Sequence, residues 1–388
     1  MNDFPYVFVD SQEGLERAAS ALASCPRLYL DTEFESGRGS TRLCLLQISS
    51  GTEIFLVDTL KLGRLDSLSG VFARPDVQWV FHAGLQDVAL IEQRLHVRAP
   101  PRLFDTQVAY ALVSAESNVA LAYLRYQLLG VRSGKAHQAD DWLARPLSES
   151  QLQYAASDVH DLPAITDILL QRADAKDRRE LIFDASREAL DPSREPTPPL
   201  TLEHFRNAWQ LGVQSQAGLR FLIDWHNALS AEDKLNTPDL KTLLALAARL
   251  PETPAALARI KGVSPSFLQR YGAYLASGLT NAAQQATGTD FVPIEPLPYA
   301  TFADIRRDAW LGLLRAEVCA KLDVSPEHVL PQRVVRDLKA KLQEGRAVRL
   351  SDALRGYRQR LLRDAVDAFC EQHPPPQSAT RPAGRSSE

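Results

Sequence analysis

Two acidic residues with one residue between them, Asp31 and Glu33, follow directly on the apolar run RLYL. Successive side chains of a β-strand point to opposite faces, so these two carboxylates point to the same side. Carboxylates held close together repel each other unless they are protonated or bridged by a cation, which makes a hard divalent metal ion a natural partner. Taken alone, the pair more often marks a solvated strand end.

Two further acids lie on predicted helices. Asp87 follows a glycine turn at a helix start, where the helix dipole favours an acid. Tyr154 and Asp158 are four residues apart on a later helix and therefore share a face. Each of these observations, taken singly, has an ordinary structural explanation.

The elements that must position these acids follow from the periodicity of the chain. Runs rich in β-branched and aromatic residues predict five strands of one sheet, at residues 6–9, 27–31, 42–49, 53–58 and 77–83. Helical periodicity appears in GLERAASALA, LQDVALIEQRL, DTQVAYALV and the stretch from Ser148 to Leu170, where Ser148 and Gln151 predict a capping box. Mixed strands and helices predict an α/β domain.

The domain boundaries follow from composition. The proline-rich segment at 191–199 predicts a stiff linker, and the chain beyond it is helical in two blocks of about 80 residues, separated by a second linker at 288–298. We therefore predict an α/β domain at residues 1–180, all-α domains at 200–285 and 297–375, and a disordered tail at 376–388. In the first helical block, the helical spacing of Leu240, Leu243, Leu244, Ala247 and Leu250 predicts core positions.

Taken together, the segments DTEF, LCLLQIS, HAGLQD, DTQVAY and DDWLARPLSESQLQYAASDV resemble the ribonuclease D family, in the tyrosine-bearing subclass of DEDD exonucleases. The resemblance covers about residues 5–175. The four acids and the tyrosine that carry the family's chemistry are all present, as Asp31, Glu33, Asp87, Asp158 and Tyr154. The fold that it implies is a ribonuclease H-like exonuclease domain followed by two all-α HRDC-like domains.

The resemblance also implies a chemistry. Asp31, Glu33, Asp87 and Asp158 would hold two divalent metal ions, Mg²⁺ or Mn²⁺, about 4 Å apart, with Asp31 between them. One ion would activate a water and the other would stabilise the departing 3′ oxygen. Tyr154 would orient the attacking water, and the products would be nucleoside 5′-monophosphates.

Contacts with the terminal nucleotide are predicted mainly in the segment GKAHQADDWLARPL, since aromatic stacking combined with cations is how single strands are held. Core packing is the alternative for its tryptophan, and a packed histidine is the alternative for His82. Between Glu35 and Leu43 the chain has SGRGSTR in place of the aromatic and proline residues usual in the family, which leaves Arg38 and Arg42 as phosphate contacts. The predicted substrate-binding residues are His82, Lys135, Gln138, Trp142 and Arg145.

The first helical block resembles an HRDC domain in the stretch that begins LKTLLALAARL, and the second does so more weakly in PEHVLPQRVVRDLKAKLQ. Asp239 stands where relatives often carry a basic residue. Nucleic-acid contacts are predicted at basic residues outside the apolar stripes, with solvated helix faces as the alternative. These residues are Lys261, Arg270, Arg333, Arg336, Lys339, Lys341, Arg355 and Arg358.

Composition limits the remaining possibilities. The formal net charge of −4 disfavours binding of nucleic acid through whole-molecule charge but leaves room for local patches and metal ions. No apolar run reaches the roughly 18 residues of a membrane span, which predicts a cytoplasmic protein. The four cysteines are far apart and predict reduced thiols without a zinc site or a disulfide framework.

The resemblance therefore implies a metal-dependent 3′→5′ exoribonuclease that trims tRNA precursors and other structured RNAs at single-stranded 3′ ends. We expect a monomer without a membrane association or a nucleotide cofactor. The absence of a Walker A motif disfavours a helicase-associated exonuclease. DNA is an alternative substrate for the same acids. A non-catalytic RNA-binding scaffold and a helical adaptor are alternatives of other classes, and both would be expected to lack at least one of the four acids.

Overall fold

A computed structural model describes residues 4–37, 40–132, 141–191, 199–229, 233–234, 237–296, 300–343 and 349–376. The chain forms two compact units, one drawn from Met1–Arg194 and Thr301–Glu388 and the other from Glu195–Ala300. The C-terminal helical block, predicted as a separate domain, is thus part of the unit that contains the sheet. Among the described residues, no helix has the length and apolar character that a membrane span requires.

The described residues contain one mixed sheet of six strands, in the order β1-β4-β3-β2-β5-β6. Strand β2 pairs antiparallel with β3, and β3 pairs antiparallel with β4, while β1 runs parallel to β4 and β5 runs parallel to both β2 and β6. The strands are β1 (Val7–Val9), β2 (Arg27–Gly37), β3 (Ser40–Ser49), β4 (Ile54–Asp58), β5 (Gln78–Phe81) and β6 (Leu103–Asp105).

Two features of the sheet differ from the prediction. The sixth strand, Leu103–Asp105, is too short to show an alternating pattern and is followed at once by a helix. Strand β2 continues to Gly37, so Asp31 and Glu33 lie within the strand and not at its end. The extension is stable because β3 pairs with the whole second half of β2, whereas β5 pairs only with residues 27–29.

Helices flank the sheet on both faces. The helices of the first unit are α1 (Gln12–Leu22), α2 (Asp66–Phe72), α3 (Leu85–Leu95), α4 (Thr106–Ala111), α5 (Leu121–Leu124), a π-helical turn (Arg125–Leu129), α6 (Glu149–His160), α7 (Leu162–Asp174) and α8 (Arg179–Ala189). The predicted capping box at Ser148 and Gln151 is confirmed at the start of α6. One face carries the buried side chains of α1, α2 and α3, and the other those of α4, α6, α7 and α8.

The second unit, predicted as the first all-α domain, contains α9 (Val213–Asn227), α10 (Leu240–Arg249), α11 (Pro254–Ala258) and α12 (Pro265–Gln285), with short 3₁₀ turns at Leu202–His204, Ala208–Gln210 and Gly288–Asp290. Its helices share one apolar core. Of the predicted core positions of α10, Leu243 and Ala247 are fully buried, Leu244 and Leu250 are partly buried, and Leu240, the first helical residue, is 38% exposed. Asp239 caps α10 by accepting a hydrogen bond from the Thr242 amide, which gives it a structural role.

The C-terminal block contains α13 (Phe302–Leu322), α14 (Pro326–Val329), α15 (Gln332–Gln343), a 3₁₀ turn (Leu350–Ala353) and α16 (Gly356–Gln372). Its buried side chains belong to the same apolar cluster as those of α4 to α8. The Ser325 amide donates to the Ala111 carbonyl oxygen over 2.8 Å. Arg178, which is 8% exposed, donates to the carbonyl oxygens of Leu112, Leu322 and Asp323, so the guanidinium links the two segments.

Several basic residues predicted to contact nucleic acid are engaged in ion pairs within the protein. Arg333 and Arg358 both pair with Glu188 of α8, at 2.9 and 2.7 Å. Lys339 pairs with Asp308 over 2.5 Å, and Arg270 pairs with Asp233 over 2.6 Å. Of these, the Arg358 side chain is only 8% exposed, because it joins the C-terminal block to the sheet-containing unit. Its role is therefore structural.

Candidate active site

The middle of β2 supplies two carboxylates on the face of the sheet that α6 covers. Asp31 lies opposite Gln47 of β3, and Glu33 lies opposite Leu45. Tyr29, two positions before Asp31, belongs to the apolar cluster on the α6 side, whereas Leu30 belongs to the cluster on the opposite side. The alternation of strand side chains thus places both acids beneath α6.

Helix α6 brings the third carboxylate. It packs against β2, β3 and β4, with Ala155 and Ala156 fully buried. Small residues at these positions let the helix approach the sheet closely, and Asp158 then reaches the acids of β2. Oxygen atoms of Asp31, Glu33 and Asp158 lie within 4.8 Å of one another. All the donors are carboxylate oxygens, the ligands preferred by hard divalent cations, so the cluster fits such an ion.

Asp87, the fourth predicted ligand, lies on the first turn of α3 and is 8% exposed. One of its carboxylate oxygens accepts a hydrogen bond from the Thr32 hydroxyl. Thr32 is the central residue of the D-x-E pair, so its side chain points to the opposite face of β2 from the two acids. Of the four predicted metal ligands, Asp31, Glu33 and Asp158 are therefore close together. Asp87 is held by Thr32 and is not one of these three, although its charge acts on Asp31.

A buried aspartate fixes the turn that begins α3. The Asp105 carboxylate accepts hydrogen bonds from the backbone amides of Ala83 and Gly84, at 3.2 and 3.0 Å, and also caps α4. Ala83 has a φ of 58°, a left-handed conformation that costs energy for a residue other than glycine. A Cβ atom at Gly84 would lie 2.4 Å from the Cβ atom of Phe81. Glycine at position 84 therefore permits the close turn that places Asp87.

Burial and mutual repulsion dominate the electrostatics of the acids. Burial, together with the charges of Asp87, Asp158 and Glu33, raises the pKa of Asp31 well above its usual range. Burial likewise raises the pKa of Asp87 to about 6 and that of Asp158 to about 6. A site that gathers negative charge in this way is stabilised by a bound cation, because the cation offsets the repulsion.

Tyr154 lies one helical turn before Asp158 and hydrogen-bonds to it. Burial and the neighbouring carboxylates, above all Asp158, raise the pKa of Tyr154. The hydroxyl therefore keeps its proton at neutral pH and acts as a hydrogen-bond donor. Behind it lies Trp142, which is 2% exposed, with ring centroids 6.3 Å apart. The packing of this indole holds the phenol ring toward the acids.

Arg125 is a buried cation behind Asp158. Its side chain is 7% exposed and lies 3.9 Å from an Asp158 oxygen and 3.1 Å from an Asp161 oxygen. It also donates to the Ser157 carbonyl oxygen. The guanidinium lowers the pKa of Asp158, against the effect of burial. Arg125 thus favours the ionised form of Asp158 and ties the last turn of α6 to the π-helical turn.

Of the predicted substrate contacts, His82 and Arg145 have internal partners instead. The ring nitrogens of His82 lie 2.9 Å from the Thr106 hydroxyl and 3.0 Å from the Val119 carbonyl oxygen. Arg145 forms two hydrogen bonds, of 2.6 and 2.9 Å, with Asp58, which is 1% exposed. Arg145 therefore anchors the loop that carries Trp142.

The other predicted contacts divide into three groups. Trp142 is packed in the core, the alternative that the sequence had left open. Lys135 and Gln138 lie outside the described residues, as does Arg38. Arg42 is exposed on β3, opposite Glu35.

Replacing Thr32 with valine should weaken metal binding without unfolding the protein. Valine keeps the shape of threonine but cannot donate to Asp87, and the loss of such an outer hydrogen bond typically costs about tenfold or more in metal affinity. We expect a higher Mn²⁺ dissociation constant by calorimetry and a higher Mg²⁺ requirement for activity. Serine at position 32, which keeps the hydroxyl, should restore both. Equal values for the valine and serine proteins would contradict this role.

Sequence reasoning missed Thr32, Asp105 and Arg125 as contributors to the site. Thr32 lies between the two acids that the sequence analysis had recognised, and this position could have indicated that it contributes to the site. Asp105 begins the segment DTQVAY, which contributed to the resemblance but received no role. Arg125 contacts residues more than 30 positions away, so only the folded chain reveals it.

Comparison with known proteins agrees with this geometry. A family model described as a 3′-5′ exonuclease matches residues 6–174, and the HRDC domain model matches residues 239–277. The first range covers the sheet, α6 and all four acids. The second lies within the second unit and confirms one HRDC domain, while a second such domain in the C-terminal block stays a prediction.

Similar proteins cover most of the chain. The ribonuclease D of Gluconacetobacter diazotrophicus is 32% identical over 342 residues, which are 83% of each chain. That of Escherichia coli is 27% identical over 95% of this chain and 99% of the relative. The crystal structure of the Escherichia coli RNase D superposes with a TM-score of 0.67 at 24% identity, covering 96% of this chain and 100% of the other. The chain therefore belongs to the ribonuclease D family of 3′→5′ exoribonucleases.

Proposed function

We propose that this enzyme trims the 3′ ends of tRNA precursors and other structured RNAs and releases nucleoside 5′-monophosphates. The observation that carries the proposal is the cluster formed by Asp31, Glu33 and Asp158, with Tyr154 on the same helix face. The substrate is supported by the relatives, one of which is described as an exoribonuclease involved in structured RNA processing.

We further propose that two divalent cations, Mg²⁺ or Mn²⁺, complete the site. Asp31, Glu33 and Asp158 would hold them together with Asp87. When bound, such ions lower the pKa of a water and neutralise charge on a phosphodiester. The carboxylates of the chain would hold the ions, and Arg125 favours the ionised form of Asp158, because a positive charge behind the carboxylate stabilises its anionic form.

Tyr154 has a positioning role in this proposal. The ordinary pKa of a tyrosine, about 10, already makes it a poor proton acceptor at neutral pH. Its hydroxyl therefore orients a water or a phosphate oxygen by hydrogen bonding and leaves proton removal to other groups. Contacts of Lys135 and Gln138 with the terminal nucleotide remain predictions.

The test is release of 5′-nucleotides from a 3′-extended tRNA transcript. With Mg²⁺ or Mn²⁺ the native protein should shorten the RNA from its 3′ end, and with EDTA it should not. A transcript blocked by a 3′-phosphate and the Asp31→Ala protein serve as controls. A native protein that binds the RNA but leaves it intact with either ion would overturn the proposal and favour a non-catalytic scaffold. Equal shortening of a matched DNA strand would remove the preference for RNA.

A further inference from the structure

Gln47 is a fully buried glutamine that has no role in the function proposed above. It lies in the middle of β3 and is 0% exposed. Among the described residues, neither its side-chain oxygen nor its side-chain nitrogen has a hydrogen-bond partner. Burying an unpaired polar group costs about 1–3 kcal/mol, so leucine or methionine at this position would give a more stable core.

The neighbours of Gln47 show where the amide can find a partner. In the sheet, Gln47 lies between Asp31 on β2 and Leu56 on β4. Directly opposite residues of an antiparallel pair have Cβ atoms about 4.5–5.5 Å apart and side chains on the same face. Along β3 the nearest side chains on this face are Leu45 and Ser49, and the Ser49 hydroxyl already accepts a hydrogen bond from the Gly51 amide. Within the sheet, Asp31 is thus the ionisable side chain directly opposite the amide.

We propose that Gln47 is a positioning residue for Asp31, whose carboxylate receives a hydrogen bond from the Gln47 amide when the cation is bound. This inference rests on the proposed metal-dependent function. An amide donor beneath the carboxylate engages one oxygen lone pair and leaves the remaining ones directed at the cation. Outer hydrogen bonds of this kind orient metal ligands and are typically worth 10- to 100-fold in metal affinity.

The same sheet offers a matched control. Gln78 of β5 is 7% exposed, and its side-chain nitrogen also has no partner among the described residues. It pairs with Arg27, four positions before Asp31, which is roughly 13 Å along the strand. A general effect of burying a glutamine in this sheet should therefore appear at both positions, and a metal-site effect only at Gln47.

The experiment compares Gln47→Met and Gln78→Met by titration with Mn²⁺, with free Mn²⁺ measured by electron paramagnetic resonance and thermal unfolding measured in EDTA. Methionine has a similar shape and removes the amide. We expect Gln47→Met to weaken Mn²⁺ binding tenfold or more while unfolding no earlier than the native protein, and Gln78→Met to bind Mn²⁺ like the native protein. Native affinity in folded Gln47→Met, or equal weakening in both proteins, would overturn the proposal.

If Gln47→Met does not fold, a second measurement on the native protein tests the same proposal. In the native protein, addition of diamagnetic Mg²⁺ should shift the side-chain amide resonances of Gln47 and leave those of Gln78 unchanged. Unchanged Gln47 resonances at saturating Mg²⁺ would overturn the proposal. A native protein that binds neither ion would instead refute the proposed metal-dependent function, so the two failures are distinguishable.

Discussion

Replacing Asp31 with asparagine should lower exonuclease activity by roughly 10³-fold and, in the absence of metal, make the protein more stable. Asparagine has the same shape but one fewer negative charge in a site where three other acids already repel it. The pKa of Asp31 is raised in the folded state, so its ionisation opposes folding at neutral pH, and removal of the charge should contribute about 1 kcal/mol. The loss of a ligand to the cation should cost roughly 10³-fold in rate, or about 4 kcal/mol.

The measurements are thermal unfolding in EDTA and in Mg²⁺, together with nucleotide release. A gain of about 1 kcal/mol corresponds to roughly 2–4 °C in Tm for a domain of this size. Mg²⁺ should raise the Tm of the native protein and have little effect on the variant, since a ligand stabilises only the state that binds it. Asp76→Asn, at an exposed acid paired with Arg74, is the control and should not gain stability in EDTA. A lower Tm for Asp31→Asn than for the native protein in EDTA would contradict the electrostatic argument.

Replacing Arg178 with methionine should destabilise the sheet-containing unit by about 3 kcal/mol or more. The guanidinium is buried and donates to carbonyl oxygens of Leu112, Leu322 and Asp323. Each buried acceptor left without a partner costs about 1–3 kcal/mol. Methionine fills most of the space but donates nothing, so the loss comes mainly from the carbonyl oxygens.

Urea unfolding followed by circular dichroism measures this effect. Arg360→Met is the matched control, because Arg360 joins the same two segments through Asp184 but its side chain is 54% exposed. Exposed ion pairs contribute at most about 1 kcal/mol. If the two variants lost equal stability, the buried guanidinium would not be the link between the C-terminal block and the sheet. A smaller loss for Arg360→Met would support the assignment.

The acids of the site were predictable because their positions follow local rules. The alternation of strand side chains gave Asp31 and Glu33 a common face, and helical spacing did the same for Tyr154 and Asp158. The strand bounds were predicted less well, since β2 continues through polar residues that are supported by β3. Neighbouring strands, and not the residues themselves, determine how far such a strand extends.

The surroundings of the acids could not be predicted in this way. Thr32 and Asp87 come together from positions 55 residues apart, and Arg145 meets Asp58 across 87 residues. The residue type of a polar side chain does not reveal a partner that is distant in sequence. For this reason Arg145 was predicted to contact the substrate. The apolar faces of the C-terminal helices were equally ambiguous, because an amphipathic pattern shows that a face is covered but not by which element.

The division of the sheet-containing unit between residues before 195 and residues after 300 bears on how the protein is made. Synthesis proceeds from the N-terminus, so all four acids leave the ribosome before the helices that complete their apolar core. The nascent chain must therefore keep part of that core exposed while the intervening unit is translated. The HRDC-containing unit, whose core contains only its own side chains among the described residues, can fold during that interval.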